Sequence, residues 1–194
     1  MNSIVSLLFE WDKNVFLFVN SAHNQFLDTI MWYVSEIYFW VPFYIFLLYL
    51  VKKRYSWKSF IVIFLILVAL VGIVDSTTVH FFKNVFNRLR PSWQPALQGQ
   101  IHSVNDYIGG MYGFISSHAA NTAAIALFFI LLLRIPWLMG ILIFWVLLIS
   151  YSRVYLGVHY PTDVIVGMLY GSLIGSIFLY TAKRFLPKVF ETKL

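Results

Sequence analysis

Residues 57–79 read WKSFIVIFLILVALVGIVDSTTV, and from Phe60 to Val74 no side chain carries a charge or a strong hydrogen-bonding group. About 20 such residues let a helix cross the hydrocarbon core of a bilayer. Within lipid, a single segment can satisfy its own backbone only as a helix. Further apolar segments run from about Asp28 to Val51, His118 to Leu133, Trp137 to Tyr151 and Pro161 to Ala182. Pro136 separates two of them, and Pro161 suits the first turn of a helix. The pattern predicts an all-α bundle of five transmembrane helices in one membrane-embedded domain, residues 1–194. Composition agrees: only 11% of the 194 residues are charged and 60% are hydrophobic, whereas a soluble domain carries about a quarter charged residues. Mean hydropathy is +0.78.

The N-terminus differs from these runs. Leu7, Leu8, Trp11, Val15, Phe18 and Val19 recur at helical spacing, but Glu10, Asp12 and Lys13 interrupt them. Without a basic leader it does not read as a cleaved signal, and residues 3–20 read as an interfacial amphipathic helix. In the last predicted span Gly167, Gly171 and Gly175 recur every fourth residue. Such a stripe lets a neighbouring helix approach closely; Ala119, Ala120, Ala123 and Ala124 read the same way. The many Trp and Tyr residues read as interface anchors.

Basic residues set the orientation. Of the 14, Lys52, Lys53, Arg54, Lys58, Arg134, Lys183, Arg184, Lys188 and Lys193 fall on one side of the predicted spans, which should be cytoplasmic. Lys13, Lys83, Arg88, Arg90 and Arg153 fall on the other. The net charge of +6 forms no stripe on a polar domain, so no nucleic-acid partner is expected. With no Cys in the chain, disulfides, thiolate metal sites and a Cys nucleophile are excluded.

The outward side gathers the unusual polar residues. Lys83, Arg90 and Pro91 follow the second span, and Ser116, Ser117 and His118 open the third. Ser152 and Arg153 end the fourth, while His159 and Asp163 lead into the fifth. Ionisable residues at the bilayer are costly and usually functional. Three cations without matching carboxylates imply an anion, and Arg forks suit phosphate oxygens. Asp163, four residues after His159, is placed to orient one ring nitrogen and free the other to attack. His118 can protonate a leaving oxygen, and the opening of the third span can hold phosphate through Ser116, Ser117 and free N–H groups.

These residues resemble the type 2 phosphatidic acid phosphatase (PAP2) superfamily, which includes vanadium haloperoxidases and glucose-6-phosphatase. Its first motif, Lys, six residues, Arg-Pro, is similar to Lys83–Pro91. Pro-Ser-Gly-His is met as Ile115-Ser116-Ser117-His118, with Ile for Pro and Ser for Gly. Ser-Arg, five residues, His, three residues, Asp matches Ser152, Arg153, His159 and Asp163. The resemblance implies a phosphohistidine on His159, a general acid at His118, orientation by Asp163, no catalytic metal or other cofactor, and phosphate held by Lys83, Arg90, Ser116, Ser117 and Arg153.

The expectation is therefore a membrane lipid phosphatase acting on phosphatidic acid, phosphatidylglycerol phosphate, polyprenyl diphosphate or a lipid A phosphate. Its place would be a bacterial inner membrane with the site facing outward, and no protein partner is called for. The loop from Pro91 to Ser116 is the expected selector of substrate. A phosphotransferase would use the same pocket, a haloperoxidase would be soluble, and a non-catalytic lipid-binding or transport protein would not need the His159–Asp163 pair. His23, His80 and His102 read as structural and Arg88 as a lipid-headgroup contact. Asp75 reads as a partner of Lys83 or a polar helix contact.

Overall fold

A computed structural model describes residues 3–193, and it is all-α: among the described residues β-pairing is limited to two isolated bridges. The helices are α1 (Ser3–Ser21), α2 (Gln25–Ser35), α3 (Val41–Arg54), α4 (Trp57–Thr77), the single turn α5 (Asn84–Phe86), α6 (Ser117–Leu133), α7 (Pro136–Tyr155) and α8 (Pro161–Phe185). Local chemistry sets their ends. Asn24 accepts a hydrogen bond from Leu27 N at 2.9 Å to cap α2, and Ser56 accepts from Ser59 N at 3.2 Å to cap α4, satisfying N–H groups that a helix leaves free. Proline opens α7 and α8.

Trp57–Phe86, α7 and α8 are long and apolar enough to cross a membrane, and a bent pair, Gln25–Ser35 with Ile37–Arg54, adds a fourth crossing if it forms one span. The chain is thus a multi-pass membrane protein. α6 is apolar but shorter, its 17 residues rising about 26 Å. The segment expected to run unbroken from Asp28 to Val51 instead bends by 73°. The break falls at Glu36, whose extended backbone (φ −84°, ψ 131°) ends α2 before the turn that leads into α3. Trp40 Nε1 donates to Val34 O at 2.8 Å and holds the break closed.

α6 lies at the centre, packed along α8 and flanked by α4 and α7. Gly167, Gly171 and Gly175 form its contact face on α8, as the stripe predicted. A Cβ at Gly167 would lie 2.8 Å from Ser116 O, and at Gly175 2.5 Å from Ala124 O. The close approach holds the opening of α6 against the opening of α8. Gly171→Leu is expected to force the helices apart and cost at least about 1–3 kcal/mol, lowering the melting temperature in detergent. Gly72→Leu, with nothing within 4 Å of the added carbon, is the control and should melt like the parent. Equal melting of both variants would remove the stripe from the account.

The outer flanks are apolar: Leu65, Phe144, Leu169 and Leu173 are 58–67% exposed. α1 also turns Leu7, Leu8, Trp11 and Phe18 outward, while Asp12, Phe16 and Asn20 are buried against the bundle. Its acid and amide therefore face the protein, where partners await them.

Candidate active site

Between α5 and α6 the chain forms a loop of short 3-10 turns. Residues 88–90 pair with 111–113 through Arg90 N donating to Met111 O (3.0 Å) and Gly113 N donating to Arg88 O (2.9 Å). Alternation along an extended strand puts residues two apart on one face, and Arg88 and Arg90 share the side of Asp163, Arg88 reaching the carboxylate and Arg90 the cavity beside it. Arg90 joins Lys83, Ser117, His118, Arg153 and His159 around one cavity of about 620 Å³. Six of the eight residues singled out in the sequence thus line one space. From there it continues between Trp40, just before α3, with Tyr44 and Leu48 on α3, and Phe64, Leu67 and Val71 on α4, an apolar groove.

The cations are held without carboxylates. Lys83 Nζ donates to Ser117 Oγ at 2.7 Å, and that hydroxyl is also 2.7 Å from Thr78 Oγ1. Arg90 Nε donates to Tyr112 O at 3.2 Å. Arg153 donates to Ser35 Oγ and, at 3.3 Å, to Tyr107 OH, with its guanidinium over the Tyr107 ring. Among the described residues none of the three forms an ion pair, and Arg90 Nη1 and Arg153 Nε are buried without a hydrogen-bond partner. Buried donors without acceptors, on groups that stay charged, define a site for an anion.

His159 is 1% exposed. Its Nδ1 lies 3.4 Å from Asp163 Oδ2, within ion-pair range but without hydrogen-bond geometry. Burial holds its pKa well below the ordinary imidazole range, and the charges of Arg90, Arg153 and Lys83 push it the same way. The ring is therefore neutral near pH 7, with a lone pair to offer. Asp163 stands behind it: Oδ2 accepts from Tyr160 N at 3.0 Å, and Oδ1 accepts from Arg88 Nη1 at 2.7 Å. Ser116 does not line the cavity; it is fully buried, its hydroxyl accepts from Ala119 N as the cap of α6, and its N–H donates to Asp163 O at 3.0 Å.

Arg88 corrects the sequence reading. Its guanidinium is engaged within the protein: it bridges Asp163 and Asp12, donates to Thr162 Oγ1 at 2.7 Å and lies over the Tyr160 ring at 4.4 Å. Asp12 Oδ1 accepts from Thr162 N at 2.9 Å, so α1, the loop and α8 meet on one ion network. An acid inside an apolar N-terminal helix was the available signal. Ser35, Tyr107 and Gly113 also escaped notice. Gly113 has no room for a side chain: a Cβ there would lie 2.9 Å from Arg90 Cγ and 3.1 Å from Asp163 Oδ2. Asp75 does not pair with Lys83; it accepts from Asn121 Nδ2 at 3.4 Å, and both residues line the groove.

The PAP2 superfamily model matches residues 60–186, which contain the whole constellation. The chain belongs to the PAP2 superfamily. Among its PAP2 relatives, the lipid A 4'-phosphatase of Bacteroides thetaiotaomicron is 32% identical over 182 residues, covering 93% of this chain and 81% of that protein. The lipid A 4'-phosphatase of Porphyromonas gingivalis is 33% identical over 184 residues, 92% of this chain and 78% of the relative. The undecaprenyl-diphosphatase of Sulfolobus acidocaldarius is 33% identical over 171 residues, 83% and 74%. The crystal structure of LpxE from Aquifex aeolicus matches with a TM-score of 0.62 and 25% identity, over 86% of this chain and 93% of that one. A PAP2-type phosphatidylglycerolphosphate phosphatase from Bacillus subtilis matches with a TM-score of 0.68 over 95% and 88%; at 20% identity it is a likeness of fold alone.

Proposed function

We propose that this chain is an integral membrane lipid phosphatase that cleaves a phosphate monoester or diphosphate through a phosphohistidine. The observation that carries the reading is the set of three cations without carboxylates, Arg90 and Arg153 buried and Lys83 half-buried, gathered with two imidazoles around a cavity that opens into an apolar groove. The groove suits a lipid tail, and the cations suit the phosphate it carries. Lys83, Arg90, Ser117 and Arg153 hold the phosphoryl oxygens and offset the charge that builds on them during transfer. His159 Nε2 attacks phosphorus as the ester P–O bond breaks, and His118, protonated beside the bound phosphate, gives its proton to the leaving oxygen. Neutral His118 then takes a proton from water as its oxygen attacks phosphorus; the P–N bond breaks with its electron pair returning to His159 Nε2, releasing inorganic phosphate and restoring both imidazoles. Asp163 steadies the imidazolium, and Ser116 contributes by capping α6.

Among lipids, a lipid A phosphate is the first candidate. Two relatives carry that activity in their names, and the Asp75–Asn121 pair on the groove wall matches a lipid with a hydroxyl or amide donor near its phosphate. Polyprenyl diphosphate has no such donor. The test is phosphate release by the detergent-purified chain from lipid A, phosphatidic acid, phosphatidylglycerol phosphate and polyprenyl diphosphate. Release from at least one, fastest from lipid A, is expected. Release from none, with phosphoryl transfer to a hydroxyl acceptor instead, would replace the hydrolase by a transferase.

The same reading places the chain in the inner membrane with five crossings, α2–α3 and α6 included, and α1 at the outer interface. The cavity then faces outward and the nine-cation side faces the cytoplasm. Reporter fusions in the loop at residues 52–58 should report cytoplasm and those at residues 98–106 the outside. The reverse pattern would move the reaction to the inner face.

A further inference from the structure

Three ligating side chains stand together outside the phosphate cavity. His23, from the connection between α1 and α2, stacks on His102 from the long loop, ring centroids 3.7 Å apart and planes 7° off parallel. His102 Nε2 lies 2.9 Å from Asp28 Oδ2 in the first turn of α2. One donor atom from each of the three falls within 4.8 Å of the others. Ligands around a tetrahedral zinc ion, at bonds of about 2.0–2.1 Å, lie about 3.3 Å from one another. Small shifts therefore bring all three to one ion, and His23, exposed on the surface, is free to make them.

A second observation shows that the site is built. Asn20, 1% exposed, clamps the backbone of His102: Oδ1 accepts from His102 N at 2.9 Å, and Nδ2 donates to His102 O at 2.9 Å and to Tyr155 O at 2.8 Å. Tyr155, fully buried, donates its hydroxyl to Asp28 Oδ1 at 2.6 Å. That bond leaves Oδ2 as the ligating oxygen. Partners of this kind, which fix ligand orientation, are a mark of metal sites.

We propose that His23, Asp28 and His102 bind one divalent transition-metal ion, Zn²⁺ foremost, with water in the fourth position. Two imidazoles and one carboxylate suit Zn²⁺ and disfavour Mg²⁺, which takes oxygen ligands in an octahedron. Binding exchanges the proton shared by His102 and Asp28 for the ion and releases it to water. The ion ties α2 to the loop that carries Tyr107, the residue beneath Arg153, and so braces one wall of the phosphate cavity without entering it.

The test is calorimetric titration of the full chain, stripped with EDTA and desalted, with Zn²⁺ and separately with Mg²⁺. One Zn²⁺ per chain should bind to the parent and to His159→Ala, at least tenfold more tightly than to His23→Ala or His102→Gln, and Mg²⁺ should give no isotherm. Zn²⁺ should raise the melting temperature of the parent but not of His23→Ala, whose ion-free melting reports that it is folded. No Zn²⁺ isotherm with the parent, or one unchanged in both His23→Ala and His102→Gln, overturns the proposal. Loss of the isotherm in His159→Ala also overturns it, placing the ion in the phosphate cavity.

Discussion

Replacing His159 with alanine is expected to lower kcat for lipid phosphate hydrolysis by about 10³- to 10⁶-fold while the chain still folds and binds its substrate. Removal of a nucleophile acts on chemistry, and the remaining oxyanion-stabilising groups account for what activity survives. The fold should tolerate the change, because Nδ1 makes no well-formed hydrogen bond and the ring occupies the edge of an existing cavity. Lys83, Arg90 and Arg153 remain to hold the phosphate, so KM should move far less than kcat. Steady-state phosphate release beside thermal unfolding in detergent separates the two effects. A His159→Ala protein that retains a tenth of the parent rate would remove this residue from the chemistry.

Arg88→Ala should have the largest effect on stability. Its guanidinium joins Asp12 and Asp163, whose side chains are 2% and 0% exposed. Breaking a buried pair by removing one partner costs about 3–5 kcal/mol, because the other charge is left uncompensated; here one residue strands two carboxylates. The melting temperature should fall sharply, and activity should fall with it as Asp163 loses the partner that fixes its position behind His159. Lysine should not restore the parent, since a point charge cannot reproduce the forked contact with both acids and Thr162. Asp12→Asn removes one carboxylate and leaves Asp163 paired, so it should lose less stability than Arg88→Ala. Equal melting of Arg88→Ala and the parent would mean that α1 is not held to the site by this network.

The parts of the site that follow regular elements were legible in the sequence. Ser117 and His118 open α6, Arg153 lies in the last turn of α7, and His159 precedes α8. Apolar runs thus deliver polar residues to one end of the bundle whatever the details of packing. The glycine stripe was equally legible, because a period of four maps directly onto one helix face. Contacts made by loops were not. Arg88 and Arg90 are two residues apart in an irregular stretch, and nothing in that spacing tells which of them meets the acids and which lines the cavity. Ser35 and Tyr107 meet Arg153 from 118 and 46 residues away, a distance that no local pattern spans. The 73° bend before α3 falls at Glu36, in a run of apolar and aromatic residues that otherwise reads as continuous.

The most direct test of the mechanism is a rapid acid-free quench of the purified chain during turnover of ³²P-labelled lipid phosphate. Label on the parent that survives base and is lost in acid, and none on His159→Ala, is the predicted result. Label that persists on His159→Ala, or turnover by the parent with no labelled protein at any quench time, would contradict a phosphohistidine on His159.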